Sequence, residues 1–225
     1  MAAGLSHPSH LAAASREVVA GIAGQAWSGD FYLAGSAALA LYLGHRTVRD
    51  LDLMGVSRLT SPERRDLLQE LLLLDPGLKV ETARDGFLYV RFASGVGLRL
   101  YYYPYPLIDP EESFEGLAVA SLLDLGLMKL GAITSRGSRR DYADLALTCR
   151  VLPLAEMLER SGDKFGHVRD FPLQALKGLA DIGGAGEEPL PVFEPPLSWP
   201  EVEAFVAEQV RATGRRAIGL EEEAK

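Results

Sequence analysis

The chain has 225 residues, of which 48% are hydrophobic, and its 31 acidic and 23 basic side chains give a formal net charge of -8. This length and apolar content suffice for a core in one or two domains, and the negative charge argues against a surface that coats nucleic acid. The single cysteine, Cys149, excludes an intramolecular disulfide and is predicted to be a buried, unreactive thiol. No apolar run reaches the roughly 18 residues of a membrane span, and no signal-like segment opens the chain, so we expect a cytoplasmic protein without a membrane partner.

Helices and strands are predicted to alternate at the start of the chain, because apolar residues recur first at helical and then at strand spacing. In chain order the predicted elements are a helix over 15–26, a strand over 31–34, a Gly35-Ser36 turn, a helix over 37–43 and a strand that carries Asp50, Leu51, Asp52 and Leu53.

Two motifs in this stretch indicate a site for phosphate and metal. Asp50 and Asp52 are two residues apart on a predicted strand, so their carboxylates lie on one face, about 7 Å apart at the Cα atoms, a spacing that suits Mg²⁺. Gly35 lets a ligand approach the backbone, and Ser36 with the free amides of the next helix favours an anion. The alternative is an ordinary turn and helix cap beside the solvent face of a half-buried strand.

The middle of the chain is predicted to add one helix and a three-stranded meander. A capping box at Thr60-Ser61-Pro62-Glu63 opens a helix that ends at Leu74. Strands follow over 79–83, 87–93 and 97–103, and the first two are joined by a tight turn at Arg84-Asp85-Gly86. The tyrosines at 101, 102, 103 and 105 either stack a base or simply pack the strand end.

From residue 119 onward only helices are predicted, so the expected division is a core over 1–117 and a helical subdomain over 118–225. Helices are expected over 121–133, from Ser138, over 154–160, over 168–181 and from Ser198 to Thr213. The first two carry Lys129, Arg136, Arg139, Arg140, Asp141 and Asp144, which fit either phosphate contacts or a solvated helix pair with salt bridges.

The order of strand, Gly-Ser, helix and strand with Asp-x-Asp resembles the nucleotidyltransferases of the DNA polymerase beta superfamily. Within that superfamily three blocks resemble the AbiEii-type toxin family: YLAGSAALALYLGHRTVRDLDL at 32–53, LRLYYYPYPL at 98–107 and MKLGAITSRGSRRDYADL at 128–145. The resemblance extends from Phe31 to about Ala180. It implies an α+β fold, in which a mixed sheet flanked by helices is followed by a helical subdomain.

The resemblance also implies the chemistry, which is Mg²⁺-dependent transfer of a nucleotide from an NTP to an acceptor with release of pyrophosphate. By position in the family motifs, the implied metal ligands are Asp50 and Asp52, the catalytic residues are Asp50, Asp52, Lys129 and Asp144, and the nucleotide and phosphate contacts are Gly35, Ser36, Lys129, Arg136 and Arg140. The implied role is a bacterial toxin that modifies RNA, with tRNA as one candidate acceptor and a cognate antitoxin protein as a partner.

Two positions depart from the family pattern. A third acid is expected on the last strand of the meander, where this chain has Arg99 or Tyr101, and Glu81 on a neighbouring strand is the possible substitute. Val48 stands where the toxin-like branch often has Ser or Thr. These departures favour a second function, the binding of a nucleotide or a partner without turnover. The acidic composition favours a third, transfer to a small-molecule acceptor.

Overall fold

The computed structural model describes residues 4–56 and 58–217. These residues form two compact units, the first ending at Ser121 and the second beginning at Leu122. The elements of the first unit are α1 (Ala13–Ala23), β1 (Tyr32–Ala34), α2 (Gly35–Leu43), β2 (Leu51–Gly55), α3 (Ser61–Leu74), β3 (Lys79–Arg84), β4 (Phe87–Arg91), β5 (Gly97–Tyr102), β6 (Glu112–Phe114) and β7 (Leu117–Val119).

A mixed seven-stranded sheet organises the described part of this unit, in the order β3-β4-β5-β2-β1-β7-β6. The pairs β2–β5 and β1–β7 are parallel, and the other neighbouring strands are antiparallel. This sheet with its flanking helices is the α+β architecture that the sequence predicts, and the prediction is confirmed.

The centre of the sheet is built by the alternation of apolar and polar residues on β2 and β5. Leu51 and Leu53 of β2 and Leu98 and Leu100 of β5 are fully buried. Because successive side chains on a strand point to opposite faces, the residues between these leucines lie on the other face of the sheet. Polar groups of two adjacent strands are thereby placed side by side.

The hairpin β6–β7 begins within the stretch 107–117, where the sequence predicts only an acidic connection. Each strand has three residues, too few for a clear alternation. The turn between them has positive φ at both Glu115 (51°) and Gly116 (88°), which is the backbone of a tight hairpin. Val119 of β7 pairs with Leu33 of β1, so the sheet continues past the predicted end of the strand region.

The second unit is helical, as predicted. Its helices are α4 (Leu122–Ser135), α5 (Arg139–Thr148), α6 (Leu154–Phe165), α7 (Phe171–Ala180) and α8 (Trp199–Ala217). Most of α4 is buried, and α5, α6 and α7 pack against it. Since α6 continues beyond the predicted end at residue 160, Lys164 lies in its last turn and not in a link. None of the described helices combines the length and apolarity needed to cross a membrane.

Candidate functional site

The carboxylates of Asp50 and Asp52 lie beside one arginine. Asp52 is on β2, and Asp50 immediately precedes that strand, where the sequence had predicted it on the strand itself. The parallel register aligns Asp52 with Arg99 of β5, and both residues occupy the face opposite the buried leucines. Arg99 Nη2 lies 2.9 Å from Asp50 Oδ2, and Arg99 Nη1 lies 3.2 Å from Asp52 Oδ1. One guanidinium therefore bridges the two predicted metal ligands.

Arg99 is held on three sides. In addition to the two carboxylates, the ring of Tyr89 on β4 lies under its guanidinium, with 4.9 Å between Cζ and the ring centroid. Burial lowers the pKa of Arg99, but the charge and hydrogen bond of Asp52 and the charge of Asp50 outweigh it, so that this pKa lies above its usual value. The guanidinium is a fixed positive charge at every physiological pH.

Backbone from β5 also contacts Asp50. The Gly97 amide donates a hydrogen bond of 3.0 Å to Asp50 Oδ1, which is the carboxylate oxygen that does not contact Arg99. A Cβ at residue 97 would lie 2.9 Å from Asp50 Cγ, so a side chain there would displace the carboxylate. Both oxygens of Asp50 are thus hydrogen bonded within the sheet.

Gly35 brings the start of α2 against Asp52. Ala34 pairs with Asp52 across β1 and β2, and α2 begins at Gly35, two residues earlier than predicted. Gly35 has a φ of +63°, and a Cβ on it would lie 2.5 Å from Asp52 Oδ2. Ser36 follows in the first turn of α2. The structure therefore places the Gly-Ser motif next to the second aspartate.

The residues do not fit a divalent metal while Arg99 keeps both of its bonds. Within residues 4–56 and 58–217, no cluster of three His, Cys, Asp or Glu side chains is placed to hold a metal. Glu81, the possible substitute for a third acid, lies on β3 and pairs with Arg91 at 3.0 Å. A divalent ion bound by these two carboxylates would compete with Arg99 for their oxygens and would lie beside its positive charge.

The last strand of the meander shows which residue faces the aspartates. Sequence reasoning left Arg99 and Tyr101 as candidates for the position of the third acid, and the register selects Arg99. Tyr101 packs on Phe87 with 4.9 Å between ring centroids, and Tyr103 packs on Tyr105 at the same distance. These contacts are those of strand packing; stacking on a base stays a prediction.

In the second unit, Lys129 of α4 pairs with two acids of α5. Its Nζ lies 2.9 Å from Asp141 Oδ1 and 2.9 Å from Asp144 Oδ2, and Asp144 is fully buried. Burial lowers the pKa of Lys129, but both carboxylates raise it, and the net pKa lies above its usual value. Burial raises the pKa of Asp141, whereas Lys129 and Ser138 lower it more strongly. The predicted lysine and aspartates are thus brought together as one charged cluster.

The two predicted phosphate-binding arginines of this unit are exposed. Arg136 follows α4 and lines a cavity of about 550 Å³, together with Tyr142, Gln174 and Lys177. Arg140 lies in the first turn of α5. Its wall contains two basic side chains, Arg136 and Lys177, and one acidic side chain, Asp181, so a small excess of positive charge is available to an anionic ligand.

The sequence does not reveal two features of the structure. Arg99 was named only as a departure from the pattern, and its role as a bridge follows from the strand register. Lys164 and Asp124 form a fully buried ion pair of 2.7 Å, although they are 40 residues apart. Burial lowers the pKa of Lys164 and the bond with Asp124 partly offsets this. Cys149, predicted to be buried and unreactive, is half-buried, and burial raises the pKa of its thiol to about 12.

Comparison with known proteins identifies a relative over most of the chain. No family model matches it. The uncharacterized protein aq_aa25 of Aquifex aeolicus (strain VF5) is 30% identical over 190 residues, which are 81% of this chain and 87% of that protein.

Two solved structures share the fold. A proposed nucleotidyltransferase from H. pylori has a TM-score of 0.55 and 16% identity, covering 92% of this chain and 95% of its own. MenT4, a nucleotidyltransferase toxin from Mycobacterium tuberculosis H37Rv, has a TM-score of 0.51 and 17% identity, covering 88% and 82%. The nucleotidyltransferase fold that the AbiEii-type resemblance implies is therefore confirmed. The chain belongs to the same family as aq_aa25 of Aquifex aeolicus, and it has the nucleotidyltransferase fold.

Proposed function

We propose that the protein is a nucleotidyltransferase that moves a nucleotide from an NTP to an acceptor and releases pyrophosphate. The observation that carries this proposal is the contact between Gly35 and Asp52, which joins the start of α2 to the carboxylate pair. A helix N-terminus binds phosphate through free amides, and catalysis of nucleotidyl transfer depends on position and charge. A helix N-terminus and a pair of carboxylates lie together at this point of the sheet, which supports the proposal.

The side chains have separate roles in this proposal. The first amides of α2, with Ser36, bind the phosphate chain. Asp50 and Asp52 orient the reacting groups, and Arg99 compensates the negative charge that collects there. Lys129 and Asp144 are assigned to the nucleotide by the family resemblance, and Arg136 and Arg140 to phosphate. Mg²⁺ stays the proposed cofactor of transfer, and no step of this assignment depends on it.

The proposed acceptor is RNA, with tRNA as one candidate, and the proposed role is the toxin of a toxin–antitoxin pair. Support comes from the likeness of the fold to MenT4, which is described as a nucleotidyltransferase toxin. The three sequence blocks of the AbiEii-type family support the same role. A cognate antitoxin is the corresponding protein partner.

The test is incorporation of label from each α-labelled NTP into total RNA, with Mg²⁺ or with EDTA. We expect label from one NTP, and a loss of at least about 100-fold in Asp52→Asn, because the carboxylate acts in the transition state. Glu81→Gln is the matched control, since this carboxylate lies in the same sheet but pairs with Arg91. Equal labelling by the wild type and Asp52→Asn would contradict the proposal.

A second candidate function is nucleotide binding without turnover. It is favoured by Arg99, which engages both aspartates and stands where the family has an acid. Binding of an NTP in equilibrium dialysis, combined with no label in RNA or in small alcohols, would select this function. Label in a small alcohol but not in RNA would select the small-molecule acceptor.

A further inference from the structure

We propose that Arg99 is the resident cation of the carboxylate pair and keeps divalent metal out of the free protein. The inference rests on the proposed function only in taking Asp50 and Asp52 as the place where a metal would be held. It adds that the side chain at position 99 decides whether the pair binds metal.

Arg99 occupies carboxylate oxygens that a metal would need. The two guanidinium nitrogens of Arg99 each bond one carboxylate, at 2.9 Å to Asp50 and 3.2 Å to Asp52. A metal that bridged the same carboxylates would compete for the oxygens that these nitrogens contact. The second oxygen of Asp50 is already bonded to the Gly97 amide.

The positive charge of Arg99 opposes the binding of a cation. Two carboxylates carry two negative charges, and the guanidinium neutralises one of them in a planar, two-pronged arrangement. An added divalent ion would lie near a positive charge that cannot be removed by deprotonation, because an arginine stays protonated in proteins. Strong binding of metal therefore requires that Arg99 first leave its partners.

The sheet fixes the position of Arg99. Its Cα is fixed opposite Asp52 by the parallel register of β2 and β5. Tyr89 on β4 supports the guanidinium from the third side, and only 29% of the Arg99 side chain is exposed. A side chain held by three neighbours is already placed for this role in the free protein.

The experiment measures binding of Mn²⁺, which takes oxygen ligands and has an EPR signal when free in solution. It compares the full-length wild type with Arg99→Gln, which removes the charge, and with Arg99→Lys, which keeps it. We expect Arg99→Gln to bind one Mn²⁺ at least about tenfold more tightly than the wild type, because a like charge has been removed from the site. Arg99→Lys should stay close to the wild type.

Two controls locate the new site. Adding Asp52→Asn to Arg99→Gln should abolish the gain, because one of the two ligands is lost. Arg84→Gln removes an exposed arginine of the same sheet, which lies over the ring of Phe87, and it should leave Mn²⁺ binding unchanged. Circular dichroism verifies the fold of every variant.

Two results would overturn the proposal: a wild type that binds Mn²⁺ as tightly as Arg99→Gln through Asp50 and Asp52, or a folded Arg99→Gln that gains no affinity. If Arg99→Gln does not fold, Mn²⁺ binding by the wild type is the test. Submillimolar binding that Asp52→Asn abolishes would refute the role of Arg99. Absence of such binding supports that role. RNA labelling is read separately, so failure of the transferase proposal and failure of this inference give different results.

Discussion

At the scale of single residues, three basic side chains that are buried or partly buried form ion pairs with aspartates. Arg99 lies between two aspartates, Lys129 lies between two others, and Lys164 pairs with Asp124 in the helical unit. A buried charge is strongly unfavourable unless it is paired, so removal of one partner affects the other. The pair of Lys164 and Asp124 is the most deeply buried, with both side chains fully excluded from solvent.

The variant Lys164→Met leaves the Asp124 carboxylate buried without this ammonium group, and we expect a loss of roughly 3–5 kcal/mol in the free energy of unfolding. Addition of Asp124→Leu should recover most of the loss, because a buried ion pair and an apolar pair of similar volume are close in stability. Urea unfolding followed by circular dichroism measures both. Lys177→Met, at an exposed position of α7, is the control. Equal stability of the single and double variants would contradict this account.

Such pairs show what a sequence does and does not reveal at this scale. The spacing of the residues is enough to identify the Asp-x-Asp and Gly-Ser motifs as parts of one candidate site, and the structure places Gly35 beside Asp52. The bridge by Arg99 could not be predicted, because it depends on which residue of β5 is opposite Asp52. The sequence predicts that Lys164 lies in a link between helices. Its burial depends on the bond with Asp124, which is 40 residues away and leaves no local signal in the sequence.

At the scale of elements, Asp141 serves two helices at once. It is the third residue of α5 and closes the capping box that Ser138 opens, and it also pairs with Lys129 of α4. Both contacts favour the ionised carboxylate, which is why the pKa of Asp141 is lowered despite burial. Packing of α4 on α5 is therefore coupled to protonation of this residue.

The pH dependence follows from the direction of that shift. A carboxyl with a pKa lower in the folded state stabilises the fold above its usual pKa of 3.8, and this contribution is lost as the pH falls below that value. We expect Asp141→Asn to lose less stability than the wild type between about pH 5 and about pH 3. Urea midpoints at each pH measure the difference. Parallel profiles for the two proteins would show that Asp141 isn't responsible for the acid sensitivity.

Local signals were sufficient for most elements and failed where the partner is distant. The box at Thr60 and Glu63 located the start of α3, and Ser138 located the start of α5. The sequence does not predict the hairpin of β6 and β7, because β7 is stabilised by pairing with β1, which lies more than 80 residues earlier in the chain.

At the scale of the whole molecule, the charge balance constrains how the protein would meet RNA. With 31 acidic and 23 basic side chains, contact with phosphates requires a local concentration of cations. The candidate is the cavity of the helical unit that Arg136 and Lys177 line, where Asp181 offsets one of the two positive charges. The small number of cations indicates few phosphate contacts.

For the double variant Arg136→Gln and Lys177→Gln, we expect weaker RNA labelling and weaker RNA binding, because two contacts to RNA phosphates are removed. The slope of log affinity for RNA against log salt should become shallower by about 2. Fluorescence anisotropy with labelled RNA at several salt concentrations measures it. The matched control is Arg215→Gln, an exposed arginine on α8. A salt slope unchanged from the wild type would exclude this cavity as the RNA contact.

The short strand β7 has a practical consequence for handling the first unit alone. It pairs with β1 in the parallel direction, and β6 covers its other edge. A chain cut after residue 117 would lose most of β7 and leave β1 as an open edge with unpaired amides and carbonyls. Exposed strand edges of this kind recruit strands from other molecules and lead to aggregation. A shortened protein that retains residues through Ser121 keeps the edge covered.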